Sequence, residues 1–144
     1  MQTLLNFLWI GFGGMLGTMA RYGISLAALP ISRELPMGTL IINILGSFII
    51  GFFGTLTLSH GKFPLSESTR LFVMVGLCGG FTTFSSFSLQ TLDLLRGGSY
   101  FRAMSNVVLS VILCIIAVAV GHMIAAHYNS GAKQIAQIEI EEEA

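Results

Sequence analysis

Four long apolar stretches alternate with short polar connections along the chain. Their approximate limits are residues 4–29, 37–59, 69–95 and 101–126. Each stretch is close to the roughly 20 residues that an α-helix needs to cross the hydrocarbon core of a bilayer. The three prolines lie in the connections, where they end helices without disrupting a helix interior. The pattern predicts four transmembrane helices, with neighbouring helices antiparallel because the connections are short.

Composition favours a membrane protein and limits its partners. Only 10% of the 144 residues are charged, whereas soluble domains carry about a quarter. Seven Lys and Arg residues balance seven Asp and Glu residues, so no net charge favours binding to nucleic acid. We therefore predict a single transmembrane domain over residues 1–128, embedded in the lipid bilayer. A polar, acidic and solvated tail is expected over residues 129–144.

The charges that flank the four stretches do not favour one orientation in the membrane. Each side carries three basic residues when Arg21, which lies inside the first stretch, is left aside. The two sets are Lys62, Arg70 and Lys133 on the side of the termini, and Arg33, Arg96 and Arg102 on the other. The positive-inside rule therefore hardly favours either orientation of the protein in the membrane. Either a partner fixes the orientation, or the protein inserts both ways and pairs with itself in antiparallel fashion.

The third stretch contains residues that do not suit a continuous transmembrane helix. In GLCGGFTTFSSFS at 76–88, three glycines and five hydroxyl side chains surround three phenylalanines. Glycine and small hydroxyl residues weaken a helix, because they free backbone and side-chain groups to bond elsewhere. In a bilayer such a break is tolerated only where protein or water meets the freed groups. The stretch predicts a broken helix at which something polar binds or crosses.

Polar side chains recur at helical spacing in two other stretches. The two sets, each spaced i, i+4, i+8, are Thr39, Asn43 and Ser47, and Asn106, Ser110 and Cys114. Helix packing is an alternative explanation for both sets, although the two amide hydrogens of Asn43 favour a functional role.

Arg21 lies near one end of the first stretch. It is either an interfacial anchor or a cation that attracts anions into a vestibule.

The third stretch also offers two kinds of electrostatic site. Phe84 and Phe87 would share a helical face, and Phe81 precedes Phe84 by the same interval of three residues. Ring edges are electropositive, so edges turned toward a pore would attract an anion without trapping it. Carbonyl groups freed near Gly79 and Thr82 could instead coordinate a hard cation. In an antiparallel pair, the two breaks would bring four such carbonyls together near the membrane midplane.

Other classes of function are disfavoured by what the stretches lack. No nucleophile–base pair, phosphate-binding glycine loop or metal-ligand spacing stands out, so an enzyme is not expected. A proton-coupled multidrug exporter would need a carboxylate inside the membrane, and no stretch has one at its centre. An accessory membrane subunit would explain the small residues as packing surfaces, but not the alternation of hydroxyl and aromatic residues.

These motifs resemble those of the small fluoride channel family, called Fluc or CrcB. The similar pieces are GGMLGTMARYG at 13–23, GTLIINILGSFIIG at 38–51 and GLCGGFTTFSSFS at 76–88. The resemblance covers all four stretches and implies an all-α, antiparallel dual-topology homodimer with two pores in the bacterial cytoplasmic (inner) membrane. It also implies a passive channel that exports fluoride down its electrochemical gradient and protects the cell from fluoride toxicity.

The resemblance further implies roles for individual residues. Asn43 would be the pore amide, and Phe84 and Phe87 the pore-lining aromatic pair. Backbone carbonyls of Gly79 and Thr82 from both subunits would hold a structural sodium ion. Further pore-lining residues would be Thr39, Thr83, Asn106 and Ser110, with Arg21 in a vestibule.

Three positions depart from the family pattern. Gln90 stands where many relatives carry Glu, Cys114 stands where Ser or Thr is usual, and Asn106 replaces a Tyr found in some relatives. Conduction is expected to survive these differences. These differences would affect the transport rate and the hydrogen bonding along the inner part of the pore.

Overall fold

The computed structural model describes residues 1–58 and 62–129, and this part of the chain is helical with short connections. Within these described residues, four helical segments are long and apolar enough to cross a membrane. They are α1 (Gln2–Ala27), α2 (Met37–Leu56), a composite third crossing (Glu67–Arg96) and a last helix (Tyr100–Tyr128). Each limit lies within three residues of the predicted one. The predicted all-helical fold with four membrane-crossing segments is confirmed.

The third crossing is interrupted, as the glycine and hydroxyl residues predict. Its pieces are α3 (Glu67–Arg70), a π-helical stretch (Leu71–Cys78), α4 (Gly79–Phe81) and α5 (Phe84–Arg96). The last helix, Tyr100–Tyr128, is α6. The π-helical stretch was not predicted, because an apolar segment such as LFVMVGLC is compatible with either helix type. π-helical turns are rare and occur often near functional sites.

Glycines bring α1 into direct contact with the third crossing. A Cβ atom on Gly17 would lie 2.2 Å from the Leu77 carbonyl oxygen, and one on Gly80 would lie 2.5 Å from the Gly14 carbonyl oxygen. Real Cβ atoms essentially never come this close to another heavy atom. The two backbones therefore touch, as small residues permit in membrane helices.

The second closely packed pair consists of α2 and α6. A Cβ atom on Gly51 would lie 2.4 Å from the Val118 carbonyl oxygen, and one on Gly121 would lie 2.4 Å from the Phe48 carbonyl oxygen. The two helix pairs meet at the break, where a Cβ atom on Gly46 would lie 2.1 Å from Thr82 Cγ2. This packing holds α2 directly beside the interruption of the third crossing.

Hydrogen bonds tie the C-terminal end of α2 to its neighbours. Arg70 donates from Nη1 to the Thr57 carbonyl oxygen at 2.9 Å. Asn129, which is fully buried, donates from Nδ2 to the Thr55 carbonyl oxygen at 3.2 Å. These bonds satisfy carbonyl groups that have no partner within their own helix.

The outer faces of the helices are apolar. Large hydrophobic side chains are exposed along α1 and α6. Examples are Leu4, Phe7, Leu8, Met15 and Met19 of α1, and Met104, Val108, Ile112 and Ile115 of α6. An exposed apolar surface of this extent is characteristic of membrane contact. With four membrane-crossing segments, it identifies a multi-pass membrane protein.

Two parts of the sequence predictions fall beyond the described residues. The predicted end of the second stretch at residue 59 lies in the 59–61 gap, and the acidic tail lies outside the described residues from 130 onward. The division into a domain over 1–128 and a tail over 129–144 stays a prediction.

Candidate functional site

The third crossing is broken at two residues with extended backbone. Thr82 has ψ 160°, and Thr83 has φ −155° and ψ 115°, so neither continues α4. The Thr83 N–H, which would bond to the Gly79 carbonyl in a continuous helix, donates to Asn43 Oδ1 at 2.8 Å. The Ser86 N–H donates to Thr83 Oγ1 at 3.1 Å rather than to the Thr82 carbonyl. The carbonyls of Gly79 and Thr82 therefore lack the donors of a continuous helix.

Asn43 of α2 binds this break through its side-chain amide. Its Oδ1 accepts a hydrogen bond from the Thr83 N–H at 2.8 Å, and its Nδ2 donates to the Thr83 carbonyl oxygen at 3.0 Å. The amide thus pairs with both backbone groups of one residue, as a neighbouring β-strand would. An amide nitrogen carries two hydrogens, so Asn43 retains one further N–H.

The side chain of Thr83 caps the helix that follows the break. Its Oγ1 accepts the Ser86 N–H at 3.1 Å and donates to Ser86 Oγ at 3.0 Å. A hydroxyl in this position satisfies one of the backbone donors at the start of a helix. Thr83 is buried and uses both its backbone and its side chain within the protein. Its position is therefore determined by α2 on one side and α5 on the other.

A cavity of about 480 Å³ opens beside the break. Most of the residues predicted to line a pore or to hold a cation contribute to it: Asn43, Gly79, Thr82, Thr83, Phe84, Phe87 and Ser110. Ser47 and Cys114, which share the predicted polar spacings, also line it. The polar faces of α2 and α6 therefore meet in one space, which we call the main cavity.

Two phenylalanines of α5 contact each other at the main cavity. The ring centroids of Phe84 and Phe87 are 5.3 Å apart, with an angle of 46° between the rings. Phe87 is buried, whereas Phe84 is 78% exposed. Phe81 does not continue this row, because the break separates it from α5 and its ring is buried near Gly46 of α2.

A second cavity, of about 330 Å³, also reaches Thr83. Arg21 and Thr39 line it, together with Thr18, Tyr22, Ser25, Ser86 and Gln90. Arg21 is partly buried. A guanidinium group attracts anions more strongly in a cavity of low dielectric than in water. Whether Arg21 is an interfacial anchor or a vestibule cation stays a prediction.

Gln90 lies where the second cavity adjoins a third, of about 450 Å³, and Thr39 also lines both. The Gln90 Oε1 atom is buried and has no hydrogen-bond partner in the described part of the chain. The third cavity reaches Arg33 and Glu34 in the connection between α1 and α2. Polar side chains therefore extend from the break toward that connection.

Asn106 contributes to none of these three cavities. Its side chain is 2% exposed, and its Nδ2 donates to Thr91 Oγ1 at 2.9 Å. Thr91 Oγ1 in turn donates to the Phe87 carbonyl oxygen at 2.8 Å. Asn106 thus connects α6 to the turn of α5 that carries Phe87. Its predicted pore-lining role stays a prediction.

The break presents groups of opposite polarity. The C-terminal end of α4 presents carbonyl groups, and the N-terminal end of α5 presents N–H groups beside Phe84. Within residues 1–58 and 62–129, no group of three or more His, Cys, Asp and Glu side chains could hold a metal ion. The break itself offers carbonyl and hydroxyl oxygens, which suit a cation, and N–H and hydroxyl donors, which suit an anion.

Some supporting residues were missed by reasoning from the sequence. Ser86 and Thr91 were not assigned roles, although each is spaced for a local hydrogen bond. Ser86 follows Thr83 by three residues, as in a helix cap, and Thr91 follows Phe87 by four, as in a bond from a hydroxyl to a preceding carbonyl. These spacings were visible in the sequence, but their connection to the Phe pair depends on contacts with α6.

Comparison with known proteins identifies the family. The family described as "CrcB-like protein, Camphor Resistance (CrcB)" matches residues 8–122, a range that contains all the candidate site residues above. A protein of Methylobacterium radiotolerans named "Fluoride-specific ion channel FluC" is 68% identical over 131 residues, 91% of this chain and 92% of that protein. A protein of the same name from Gluconobacter oxydans is 65% identical over 133 residues, 92% of each. The chain therefore belongs to the CrcB family.

Proposed function

We propose that this protein is a fluoride-selective passive channel, which exports fluoride down its electrochemical gradient and protects the cell from fluoride toxicity. The observation that carries this proposal is the main cavity at the helix break, which the Asn43 amide and the rings of Phe84 and Phe87 line together. The printed names of relatives at 68% and 65% identity favour fluoride as the transported ion. Passage through such a cavity involves no chemical reaction, so the proposed activity is not enzymatic.

The groups around the main cavity suit a small, strongly hydrated anion. A narrow membrane cavity must replace the water around fluoride with hydrogen-bond donors. Asn43 has one amide hydrogen that Thr83 does not use, and Ser110 offers a hydroxyl. The ring edges of Phe84 and Phe87 add attraction without a full charge that would hold the ion. Larger halides would fit a narrow aromatic passage poorly.

Polar residues beyond the main cavity extend the proposed path. Arg21 would raise the local concentration of anions in the second cavity, which Thr39 and Thr83 also line. Thr83 lines the main cavity as well, so it belongs to both parts of the path. The proposed path includes Asn106, because Ser110, one helical turn away, lines the main cavity.

The proposed channel is an antiparallel, dual-topology homodimer with two pores in the bacterial cytoplasmic membrane. Without a partner, the exposed Phe84 ring and the polar groups of the main cavity would face lipid, which is unfavourable for the polar groups. An inverted second copy would cover this surface. The equal numbers of basic residues on the two sides favour insertion in both orientations.

A structural sodium ion at the centre of the dimer is the proposed cofactor. Sodium prefers oxygen ligands, and the carbonyls of Gly79 and Thr82 suit it because the N–H groups of Thr83 and Ser86 bond elsewhere. Two copies would supply four carbonyls around one ion. When bound, the ion would join the two breaks and raise the electrostatic potential that nearby anions experience.

Fluoride efflux from liposomes tests the proposed function. Purified protein in potassium fluoride liposomes should release fluoride rapidly once valinomycin allows potassium to follow, as a fluoride electrode would record. Chloride release under the same gradient should stay at the level of protein-free liposomes, because the donors around the cavity suit the smaller ion. Absence of fluoride efflux from folded protein would contradict the proposal and would favour a multidrug exporter or an accessory membrane subunit.

Native mass spectrometry tests the assembly and its cofactor. Protein purified in sodium buffer should have the mass of two chains plus one sodium ion.

Topology is tested with a cysteine in place of the exposed Arg96, after Cys78 and Cys114 are replaced by serine. An impermeant maleimide applied to one face of the membrane should label about half of the copies, because the positive-inside rule does not select between the orientations. A monomeric mass, or complete labelling from one side, would contradict the antiparallel dimer.

A further inference from the structure

We infer that Asn106 and Thr91 are positioning residues, which hold Phe87 in place for transport through a relay of two hydrogen bonds between α6 and α5. Asn106 then acts on the ion only through Phe87, so its part in the path is indirect. The effect on transport rests on the proposed function of the main cavity as an anion path. The relay itself does not depend on which ion passes.

The relay consists of three groups, each of which donates to the next. Asn106 Nδ2 donates to Thr91 Oγ1 at 2.9 Å, and Thr91 Oγ1 donates to the Phe87 carbonyl oxygen at 2.8 Å. A hydroxyl group has a single hydrogen, and the Phe87 carbonyl takes it. The Thr91 oxygen is therefore left to accept a hydrogen bond, which the Asn106 amide supplies. Hydrogen bonds in such a chain strengthen one another, because each polarises the next.

Neither side chain of the relay lines the main cavity or the two other cavities. Asn106 is buried, and Thr91 is partly buried. Ser110, four residues after Asn106, does line the main cavity. Asn106 thus contacts α5, while the next polar residue on its face of α6 reaches the proposed path.

The relay ends at the phenylalanine that supports the other ring of the pair. Phe87 is buried, whereas Phe84 is largely exposed and its ring contacts that of Phe87. Among the described residues, the bond from Asn106 to Thr91 is the only side-chain hydrogen bond between α5 and α6. Loss of this bond would free the turn of α5 that carries Phe87. A shift of Phe87 would then move the Phe84 ring as well.

A second bond on α5 has the same local geometry but no link to α6. Ser88 Oγ donates to the Phe84 carbonyl oxygen at 2.9 Å, as Thr91 does to the Phe87 carbonyl. Ser88 is exposed, and its hydroxyl accepts no hydrogen bond from the described part of α6. Such a bond does not fix where α5 lies relative to another helix. Ser88 therefore offers a matched control for the relay.

Fluoride efflux from liposomes tests the relay through single variants. Thr91→Val keeps the shape of the side chain but removes the hydroxyl, and Asn106→Leu removes the amide donor. Each variant should slow efflux by at least about 10-fold, because the rings lose their fixed position. Thr91→Ser retains the hydroxyl and should stay within about 3-fold of the wild-type rate. The control Ser88→Ala should do the same.

The double variant distinguishes positioning from direct contact with the ion. If both residues act through one relay, Thr91→Val combined with Asn106→Leu should be at most about 3-fold slower than the slower single variant. If Asn106 contacted the ion itself, the two losses would multiply to about 100-fold. Multiplied losses, or wild-type efflux from folded Asn106→Leu, would overturn the inference. If Asn106→Leu does not fold, Asn106→Ala replaces it, since alanine also lacks the donor and adds no bulk.

Solid-state NMR of the full-length protein in liposomes gives a readout that does not depend on conduction. Only Phe84 and Phe87 are followed by serine in the chain. Carbon-13 in the phenylalanine carbonyls and nitrogen-15 in serine therefore give one signal for each of the two residues. In Thr91→Val the Phe87 signal should move, because its carbonyl loses a hydrogen bond, while the Phe84 signal should stay.

The NMR result and the efflux result can fail separately. An unmoved Phe87 signal in Thr91→Val would reject the relay even if the wild-type protein conducts fluoride. A wild-type protein that conducts no fluoride would reject the channel and the effect of the relay on transport. The Phe87 signal would then still decide whether Thr91 binds the Phe87 carbonyl.

Discussion

Replacing Phe84 or Phe87 by isoleucine should reduce fluoride efflux by at least about 100-fold, equivalent to roughly 2.7 kcal/mol of barrier height. Isoleucine keeps an apolar side chain at the main cavity but has no electropositive ring edge. The two rings contact each other, with centroids 5.3 Å apart, so loss of either one also removes the support of the other. The measurement is valinomycin-dependent efflux from liposomes, with each variant reconstituted at the same protein density.

Both variants should remain folded, although for different reasons. Phe84 is 78% exposed within the chain, so its replacement changes few contacts inside one subunit. Phe87 is buried, and its replacement should cost about 1–1.5 kcal/mol, as a change of shape in a packed site usually does. Such a loss is modest beside a typical unfolding free energy of about 5–15 kcal/mol. A loss of flux can therefore be assigned to the pore rather than to unfolding.

Phe7→Ile supplies the matched control for the aromatic pair. Phe7 lies on α1, is 68% exposed and belongs to the apolar outer face. The same change of side chain there should leave efflux at the wild-type rate. If Phe84→Ile or Phe87→Ile conducts like Phe7→Ile while folded and assembled, the ring concerned does not line the path.

The four crossings and the break could be predicted because they depend on local properties of the chain. A crossing needs about 20 apolar residues, a requirement that can be counted in the sequence. The break lies among glycines and small hydroxyl residues, which lose little when a helix is interrupted. The spacing of Asn43 on α2 and of Ser110 on α6 predicts a polar face on each helix, and both residues line the main cavity.

Other features depend on contacts that the sequence does not encode locally. At the break, the Thr83 backbone is bonded to Asn43, which belongs to another helix. That position separates Phe81 from Phe84 and buries Phe81 near α2, although the spacing of the three phenylalanines is regular. Asn106 shares a helical face with Ser110, yet its hydrogen bond is to Thr91. Each difference arises from packing between helices.

Replacing Gly17 by alanine should lower the free energy of unfolding by at least about 3 kcal/mol, a value in the severe range for a single methyl group. The added Cβ would lie 2.2 Å from the Leu77 carbonyl oxygen and 2.8 Å from the Phe81 nitrogen. Both are backbone atoms, which cannot rotate away as a flexible side chain can. The helices would have to separate by about 1.2 Å to restore an ordinary contact of 3.4 Å.

Gly11→Ala provides the contrasting case on the same helix. A Cβ atom there would have no neighbour within 4 Å. Since alanine favours a helix over glycine by about 1 kcal/mol, this variant should be as stable as the wild type or slightly more stable. Unfolding of both variants in mixed detergent micelles, followed by circular dichroism, gives the comparison. Equal stability of Gly17→Ala and Gly11→Ala would contradict the close backbone contact between α1 and the third crossing.

The effect of Gly17→Ala should extend from stability to transport. Gly17 contacts the backbone of Gly80 and Phe81. These two residues lie between Gly79 and Thr82, whose carbonyls are proposed to hold sodium. A displacement of about 1 Å there is large compared with the roughly 0.5 Å tolerance of a functional site. Protein that folds despite the substitution should therefore conduct fluoride slowly and lose the bound sodium in native mass spectrometry. Retention of both properties would mean that α1 does not position the break.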